Sequence, residues 1–173
     1  LSGETSVGEF AIEAVQTMAR IIEKTEEGGL DRIRPLTHSP RTKGGAITKA
    51  AVEVGTTLDA KYLVAFTTSG DSARRMSRLR SYIPILAMTP DVGTYNRLAL
   101  TWGVEPIIAP QVEHTDDMVK QVDTLMLSSK RASKGETIMI VAGAPPGIPG
   151  STNAMRVHVV GDAVDGVAAA YRK

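Results

Sequence analysis

The spacing of apolar residues changes several times along the chain, and the first segment has the period of a helix. Between residues 8 and 27, apolar residues recur every three or four positions, which is the pattern of one helix face. They are Ala11, Val15, Met18 and Ile22. Gly28 and Gly29 are predicted to end this helix, and a second helix is predicted from Thr42 to about Leu58.

After this second helix, short apolar runs alternate with helical patterns. Five runs rich in β-branched residues are predicted as strands, over residues 62–67, 83–88, 104–108, 137–142 and 155–160. Three helices are predicted between them, over residues 71–80, 92–102 and 115–129, the last capped by Thr115. This alternation predicts an α/β fold, an open and mostly parallel five-stranded sheet with helices on both faces. The last two strands are joined only by a loop, which predicts an antiparallel edge strand.

A polar segment with two prolines, residues 30–41, cannot continue a helix and is the best candidate for a domain boundary. The predicted organisation is therefore a terminal segment and helix at 1–29, a connector at 30–41 and an α/β domain at 42–161. The alanine-rich tail, residues 162–173, has weak periodicity and is expected to be disordered or a short helix.

Composition narrows the classes of function. The chain has 173 residues with 20 Lys plus Arg against 19 Asp plus Glu, and this near-neutral balance argues against a nucleic-acid binder. The absence of Cys excludes disulfides and thiolate chemistry and suits a cytoplasmic protein. No apolar run approaches a membrane span and no signal peptide opens the chain. The start at Leu1, with no initiator Met, suggests a piece of a longer protein.

The first candidate site is the hydroxyl-rich turn, residues 67–72, which follows the first predicted strand and opens a helix. It has the sequence Thr67-Thr68-Ser69-Gly70-Asp71-Ser72. Ligands of open α/β sheets bind at the carboxyl ends of the strands, and four hydroxyls around a glycine suit a phosphate. The alternative is an ordinary capped turn, which needs one hydroxyl. Asp71 counts against an anion if its carboxylate points inward.

The second candidate is the Gly/Pro loop, residues 143–153, between the last two predicted strands. A hairpin needs only two residues here, so a loop of about eleven residues favours a ligand-binding role. Its glycines bring backbone N–H groups close to an anion, and Ser151 and Thr152 add hydroxyls. The alternative is a surface loop stiffened by three prolines. Both candidates are predicted on the same side of the sheet, which strengthens the ligand-site interpretation.

Three other interpretations are weaker. Gly70-Asp71-Ser72 resembles the nucleophile motif of Gly-Asp-Ser hydrolases, but the late His158 lacks the Asp-x-x-His arrangement of their base. His38 and His114 have no paired spacing for a metal ligand set. Four arginines follow the hydroxyl-rich turn, and they suit a solvated face, steering of phosphorylated ligands or an acidic partner. They are Arg74, Arg75, Arg78 and Arg80.

Several motifs together resemble the pyruvate kinase family in order and spacing, over essentially residues 1–161. The first segment is similar to the end of that family's catalytic barrel, and the rest to its carboxy-terminal domain. The matching residues are Leu1–Ser6, Glu13-Ala14-Val15, Met18, Thr67–Gly70, Pro84–Thr89, Gly103-Val104, Gly135-Glu136 and Gly150–Asn153.

The resemblance implies phosphoryl transfer from phosphoenolpyruvate to ADP in the full enzyme, with Mg²⁺ and usually K⁺, in glycolysis. The family's catalytic Lys, Arg and acidic metal ligands lie on earlier strands of a (β/α)₈ barrel, of which only the last helix is expected here. Because phosphoryl transfer needs metal and cationic groups in position, the chain alone is expected to be catalytically inert.

The resemblance also implies a regulatory role in a homotetramer. An effector phosphate is expected on the hydroxyl-rich turn, with the Gly/Pro loop closing over it. The expected site residues are Thr67, Thr68, Ser69, Gly70 and Ser72, together with Gly147, Gly150, Ser151 and Thr152. The Gly/Pro loop has no Lys or Arg, whereas family members that respond to fructose 1,6-bisphosphate commonly have basic residues there. A monophosphate such as glucose 6-phosphate, ribose 5-phosphate or AMP is therefore favoured.

A stand-alone phosphate-ligand binding or signalling module of the same fold is the alternative function. The first 27 residues argue against it, because a free module has no need of a barrel helix. A small hydrolase that uses Ser72 is a third possibility, disfavoured by the missing base.

Overall fold

A computed structural model describes residues 1–33, 39–148 and 150–165 of the chain. The chain divides into two compact units, residues 1–36 and 37–173. Most of the expected 30–41 connector is described, but its residues 34–38 lie outside the described part. His38 is among those residues, and of the 162–173 tail only residues 162–165 are described.

The first unit is helical. A short helix, α1 (Gly3–Ser6), precedes α2 (Ala11–Gly29), which leads into a 3₁₀ turn at Leu30–Arg32. Helix α2 ends at the predicted glycine pair, although both Gly28 and Gly29 are helical and lie in its last turn. A glycine inside a helix costs only about 1 kcal/mol relative to alanine. No residue of α2 is buried.

The second unit contains the predicted alternation of strands and helices. Its helices are α3 (Lys43–Thr57), α4 (Asp71–Ser77), α5 (Val92–Leu98), α6 (Thr115–Ser128) and α7 (Asp162–Asp165). Its strands are β1 (Leu63–Phe66), β2 (Ile85–Thr89), β3 (Val104–Ile108), β4 (Thr137–Gly143) and β5 (Thr152–Val159). Helices α4 and α5 are shorter than predicted, and β5 begins three residues earlier. No helix in the described ranges combines the length and apolar character needed to cross a membrane.

The five strands form one sheet in the order β3-β2-β1-β4-β5. The central strand β1 pairs in parallel with β2 and β4, with Leu63 opposite Ile85 and Met139. Strand β5 runs antiparallel to β4, with Arg156 opposite Ile140. The predicted fold class and the antiparallel edge strand are therefore confirmed.

Alternate residues of the parallel strands face two separate cores. Leu63 and Ala65 of β1 belong to the core under α3, α4 and α5, whereas Val64 belongs to the core under α6. Helix α3 approaches the sheet closely at Gly55, where a Cβ atom would lie 3.1 Å from side-chain carbons of Leu63 and Met139. A strand buried on both sides has no polar face, which is why these runs are almost continuously apolar.

The starts of two helices differ in how they are capped. Thr42 precedes α3, and its hydroxyl accepts a hydrogen bond from the Gly45 N–H at 3.2 Å, as expected of an N-cap. The expectation that Thr115 caps α6 is wrong. The cap position is His114, without a side-chain capping bond, and Thr115 is the first helical residue. Asp116 and Asp117 lie in the first turn, where the helix dipole favours acidic side chains.

Candidate functional site

A cleft lies where the parallel strands β1, β2, β3 and β4 reach their carboxyl ends. The hydroxyl-rich turn forms one wall, the Gly/Pro loop another, and the segments after β2 and β3 supply the rest. Its described lining residues are Phe66, Thr67, Thr68, Ser69, Asp71, Ser72, Met88, Pro90, Ala109, Pro110, Gln111, Val112, Met118, Gly143, Pro146, Gly147, Ile148, Gly150, Ser151 and Thr152. The structure thus brings together eight of the nine expected site residues, and Gly70 lies beside the lining as the residue before α4.

The hydroxyl-rich turn is held by its own side chains. The Thr67 hydroxyl accepts from the Gly70 N–H at 2.9 Å, and the Ser69 hydroxyl accepts from the Asp71 N–H at 3.4 Å. Gly70 has φ of 83°, a left-handed conformation that glycine adopts without strain. A hydroxyl that accepts through a lone pair keeps its own O–H free to donate. Thr67 and Ser69 can therefore hold the turn and still donate to an anion in the cleft.

Ser72 has a different role from these two hydroxyls. Its side chain is 3% exposed, and its Oγ lies 2.7 Å from the Oγ1 of Thr152. Thr152 is the first residue of β5, so this hydrogen bond ties the hydroxyl-rich turn to the end of the Gly/Pro loop. One of the two hydroxyls is necessarily used as the donor in this bond. Ser72 and Thr152 thus join the two walls of the cleft.

The Gly/Pro loop is more compact than its sequence predicts. Strands β4 and β5 extend into it, so only residues 144–151 connect them. The Asn153 side chain closes this connection with two 2.7 Å hydrogen bonds, accepting from the Ala144 N–H and donating to the Ala144 carbonyl. Gly147 has φ of 85°, and a Cβ atom there would lie 2.5 Å from Nε2 of Gln111. The loop therefore packs against the β3–α6 segment across the cleft.

The carboxylate of Asp71 is paired. Its Oδ2 accepts from Nε of Arg75, one helical turn later, at 2.5 Å. The same guanidinium donates through Nη1 to the Thr42 hydroxyl at 3.0 Å. Arg74 donates to the Ser69 carbonyl at 3.0 Å. The arginines expected to form a solvated or steering face are thus partly engaged in holding the turn, and Arg80 stacks 4.5 Å from the centre of the Trp102 ring.

Several cleft residues were missed by the sequence analysis. Gln111 and Pro110 follow β3, Pro90 follows β2, and Met118 comes from the first turn of α6. Thr94, on α5, holds the backbone of the hydroxyl-rich turn, because its hydroxyl donates to the Thr68 carbonyl at 2.7 Å. The rule that ligands sit at the carboxyl ends of parallel strands points to the segments after β2 and β3, but their residues have no distinctive motif.

The hydrolase and metal interpretations gain no support from the geometry. Ser72 bonds to Thr152, whereas His158 bonds to Asp123 at 2.6 Å, and both residues of this second pair are buried. A nucleophile and base need to lie within hydrogen-bond reach of each other. Among the residues that the structure describes, no three His, Asp or Glu side chains gather where they could hold a metal ion.

Comparisons with known proteins place the chain in one family. Residues 45–158 match the family described as "Pyruvate kinase, alpha/beta domain". The chain is 51% identical over 162 residues to a pyruvate kinase of Mycobacterium tuberculosis, covering 94% of this chain and 34% of that protein. It is 47% identical over 162 residues to a pyruvate kinase of Corynebacterium glutamicum, with the same coverage.

A solved structure shows the same fold. A crystal structure of a pyruvate kinase from Cryptosporidium parvum superposes with a TM-score of 0.79 at 24% identity, covering 92% of this chain and 32% of that one. The chain therefore spans about one third of the length of the relatives it matches. The matched α/β domain is the five-stranded unit whose strand ends form the cleft. The resemblance of the separate motifs is confirmed, and the chain belongs to the pyruvate kinase family.

Proposed function

We propose that this chain is the carboxy-terminal regulatory and subunit-contact domain of a pyruvate kinase, with the last segment of the catalytic barrel attached. In the full enzyme it serves a cytoplasmic homotetramer that transfers phosphate from phosphoenolpyruvate to ADP in glycolysis. The support is the family membership together with the one-third coverage of the relatives. The proposed boundaries are the barrel segment at 1–29, the connector at 30–41, the α/β domain at 42–161 and the tail at 162–173.

The first unit supports the assignment of a barrel helix. Helix α2 exposes an apolar stripe, with Val15 44%, Met18 37% and Ile22 46% exposed. Such a stripe is expected to pack against further protein, because a helix with one apolar face buries that face in a core. We propose that this stripe packs against the rest of the barrel in the full enzyme.

Catalysis is assigned to the rest of the barrel in the full enzyme. Mg²⁺ and K⁺ are proposed to bind there, as the family resemblance implies. The described residues of this chain include no cluster of three His, Asp or Glu side chains that could hold a metal ion. A coupled assay of the purified chain with phosphoenolpyruvate, ADP, Mg²⁺ and K⁺ should show no turnover above background. Turnover that resists further purification would contradict this assignment.

The cleft is proposed to bind the phosphate of an allosteric effector. Thr67, Thr68, Ser69, Gly70 and Ser72 are proposed to form the phosphate side. Gly147, Gly150, Ser151 and Thr152 are proposed to form the loop that closes over the effector. The observation that carries the proposal is that both elements line one cleft in which Thr67 and Ser69 retain free O–H donors. The described lining has Asp71 and no Lys or Arg. One phosphate therefore suits it better than two, and a sugar monophosphate or AMP is favoured over fructose 1,6-bisphosphate.

Calorimetric titration tests this proposal directly. The chain is titrated with glucose 6-phosphate, ribose 5-phosphate, AMP and fructose 1,6-bisphosphate, and at least one monophosphate is expected to bind more tightly than the bisphosphate. Ser69→Asp should abolish this binding. Ser69→Asn introduces a side chain of the same size as Asp but without the negative charge, and it should retain part of the binding. Absence of binding by all four compounds would overturn the effector proposal, and tighter binding of fructose 1,6-bisphosphate would overturn the monophosphate preference.

A further inference from the structure

Asp71 is an obstacle to any anion in the proposed effector site, and Arg75 is the side chain that neutralises it. Asp71 is one of the residues that line the cleft, and its Oδ2 is 2.5 Å from Arg75 Nε. We propose that Arg75 is a positioning residue of the effector site, which makes the site tolerant of an anion and links its occupancy to the first turn of α3. This inference rests on the proposed effector function of the cleft.

The electrostatic part follows from charge alone. Without Arg75, the described cleft lining would present an unpaired carboxylate to a phosphate that has up to two negative charges. Like charges a few ångströms apart at a partly exposed site weaken binding by about tenfold. With Arg75 in place, the Asp71–Arg75 pair has no net charge. Asp71 then fixes the guanidinium in position instead of repelling the ligand.

The proposed link to α3 depends on a second contact of the Arg75 guanidinium. Arg75 Nη1 donates to the Thr42 hydroxyl at 3.0 Å, and that hydroxyl also accepts the capping bond from the Gly45 N–H. The packing is close, because a Cβ atom on Gly45 would lie 3.1 Å from Arg75 Nη1 and 2.9 Å from Cβ of Pro40. Arg75 therefore bridges a cleft residue and the N-cap of α3.

A second contact links the same turn of α3 to the cleft. A Cβ atom on Gly44 would lie 3.4 Å from Cβ of Thr152, and Thr152 is hydrogen-bonded to Ser72. The first turn of α3 thus meets the cleft lining through Arg75 on one side and through Thr152 on the other. Thr42 directly follows the 30–41 connector in sequence, so this turn is where the connector enters the α/β domain.

By thermodynamic linkage, ligand binding and the order of the first turn of α3 affect each other equally. If a ligand binds better when the first turn of α3 is ordered, then the bound ligand must stabilise that turn by the same factor. The amide proton of Gly45 reports on this, because its hydrogen bond to Thr42 is the one that Arg75 supports. Ligand binding is therefore expected to slow hydrogen exchange at Gly45.

The test is a double-mutant cycle on the whole chain with glucose 6-phosphate and inorganic phosphate as probes. Binding is measured by calorimetry and Gly45 exchange by NMR for wild type, Arg75→Gln, Asp71→Asn and the double variant. Arg75→Gln is expected to weaken binding by about tenfold, and adding Asp71→Asn should restore it to within about threefold. Hydrogen exchange at Gly45 should be faster than in wild type in Arg75→Gln. It should remain so in the double variant, because both variants lack the contact between Arg75 and Thr42.

Two matched variants keep the result interpretable. Arg78→Gln removes one positive charge directly after the same helix, and it should leave both readouts close to wild type. Arg75→Lys keeps the charge but not the two-sided fork, so it should retain most of the binding while Gly45 exchanges faster. This variant also serves as the test if Arg75→Gln does not fold.

The possible failures are distinguishable. If wild type binds and Arg75→Gln matches Arg78→Gln in both readouts, this inference is overturned and the effector function stands. If Asp71→Asn gives no rescue of binding in the Arg75→Gln background, the neutralising role is wrong. If wild type binds neither probe, the effector function falls for these ligands, and the linkage falls with it.

Discussion

A buried carboxylate on α6 fixes the end of β5 and the segment after it. Asp123 is fully buried, and its Oδ1 lies 2.6 Å from Nε2 of His158, which is 3% exposed. Its Oδ2 accepts from the backbone N–H groups of Gly161 at 3.1 Å and Ala163 at 3.0 Å. One side chain thus satisfies three donors from β5, the turn after it and the start of α7.

Asp123→Asn tests this arrangement at nearly constant volume. The amide keeps one acceptor oxygen, but its NH₂ group faces donors on the other side, so at least one buried N–H loses its partner. Hydrogen bonds to charged groups contribute about 1.5–3 kcal/mol each, and leaving a buried donor without its partner costs about 1–3 kcal/mol. We expect a loss of about 3 kcal/mol in the free energy of unfolding. For a chain of this size that corresponds to a Tm lower by about 6–12 °C.

Urea unfolding followed by tryptophan fluorescence measures this loss of stability in the second unit of the chain. Trp102 is the single tryptophan and lies in the second unit, so its signal reports on the α/β domain. The control is Asp116→Asn, also on α6, where loss of a favourable helix-dipole interaction costs at most about 1 kcal/mol. Hydrogen exchange at Gly161 and Ala163 should accelerate in Asp123→Asn and not in the control. A free energy of unfolding for Asp123→Asn within about 0.5 kcal/mol of wild type would refute the reasoning.

Three further substitutions test the packing and capping of the same domain by urea unfolding. Leu86→Ala, at a fully buried position of β2, should cost about 2–5 kcal/mol, whereas Leu100→Ala, at a side chain 92% exposed, should change stability by less than about 0.5 kcal/mol. Gly55→Ala should cost about 1–3 kcal/mol because its Cβ would press on Leu63 and Met139, and an unchanged midpoint would show that α3 has room to move. Thr42→Ala should cost about 1 kcal/mol through loss of the α3 cap, whereas Thr42→Ser should retain most of the stability; equal losses would contradict a capping role.

The period of the apolar residues was sufficient to predict the strands, because buried parallel strands are short, apolar and bounded by polar turns. Helix ends were less predictable because tertiary contacts decide them. Helix α4 ends at Ser77, whereas the pattern extends to Arg80, which adopts φ of 52° and stacks on Trp102. Strand β5 begins early at Thr152 because Asn153 closes the loop onto Ala144, a pairing that hydrophobicity does not signal.

The candidate site was predictable only as far as strand ends and loop composition allow. Asp71 shows the limit. In sequence it is an unfavourable charge beside a proposed anion site, although Arg75 at i+4 is a spacing that favours an ion pair on a helix. Arg75 also contacts Thr42, which lies 33 positions away and connects the ion pair to the start of α3. No local sequence pattern predicts this contact. Because Thr42 is also the cap of α3, one guanidinium contacts both a residue of the cleft lining and the start of a helix. In the proposed effector site, that guanidinium neutralises Asp71 and couples ligand binding to the first turn of α3.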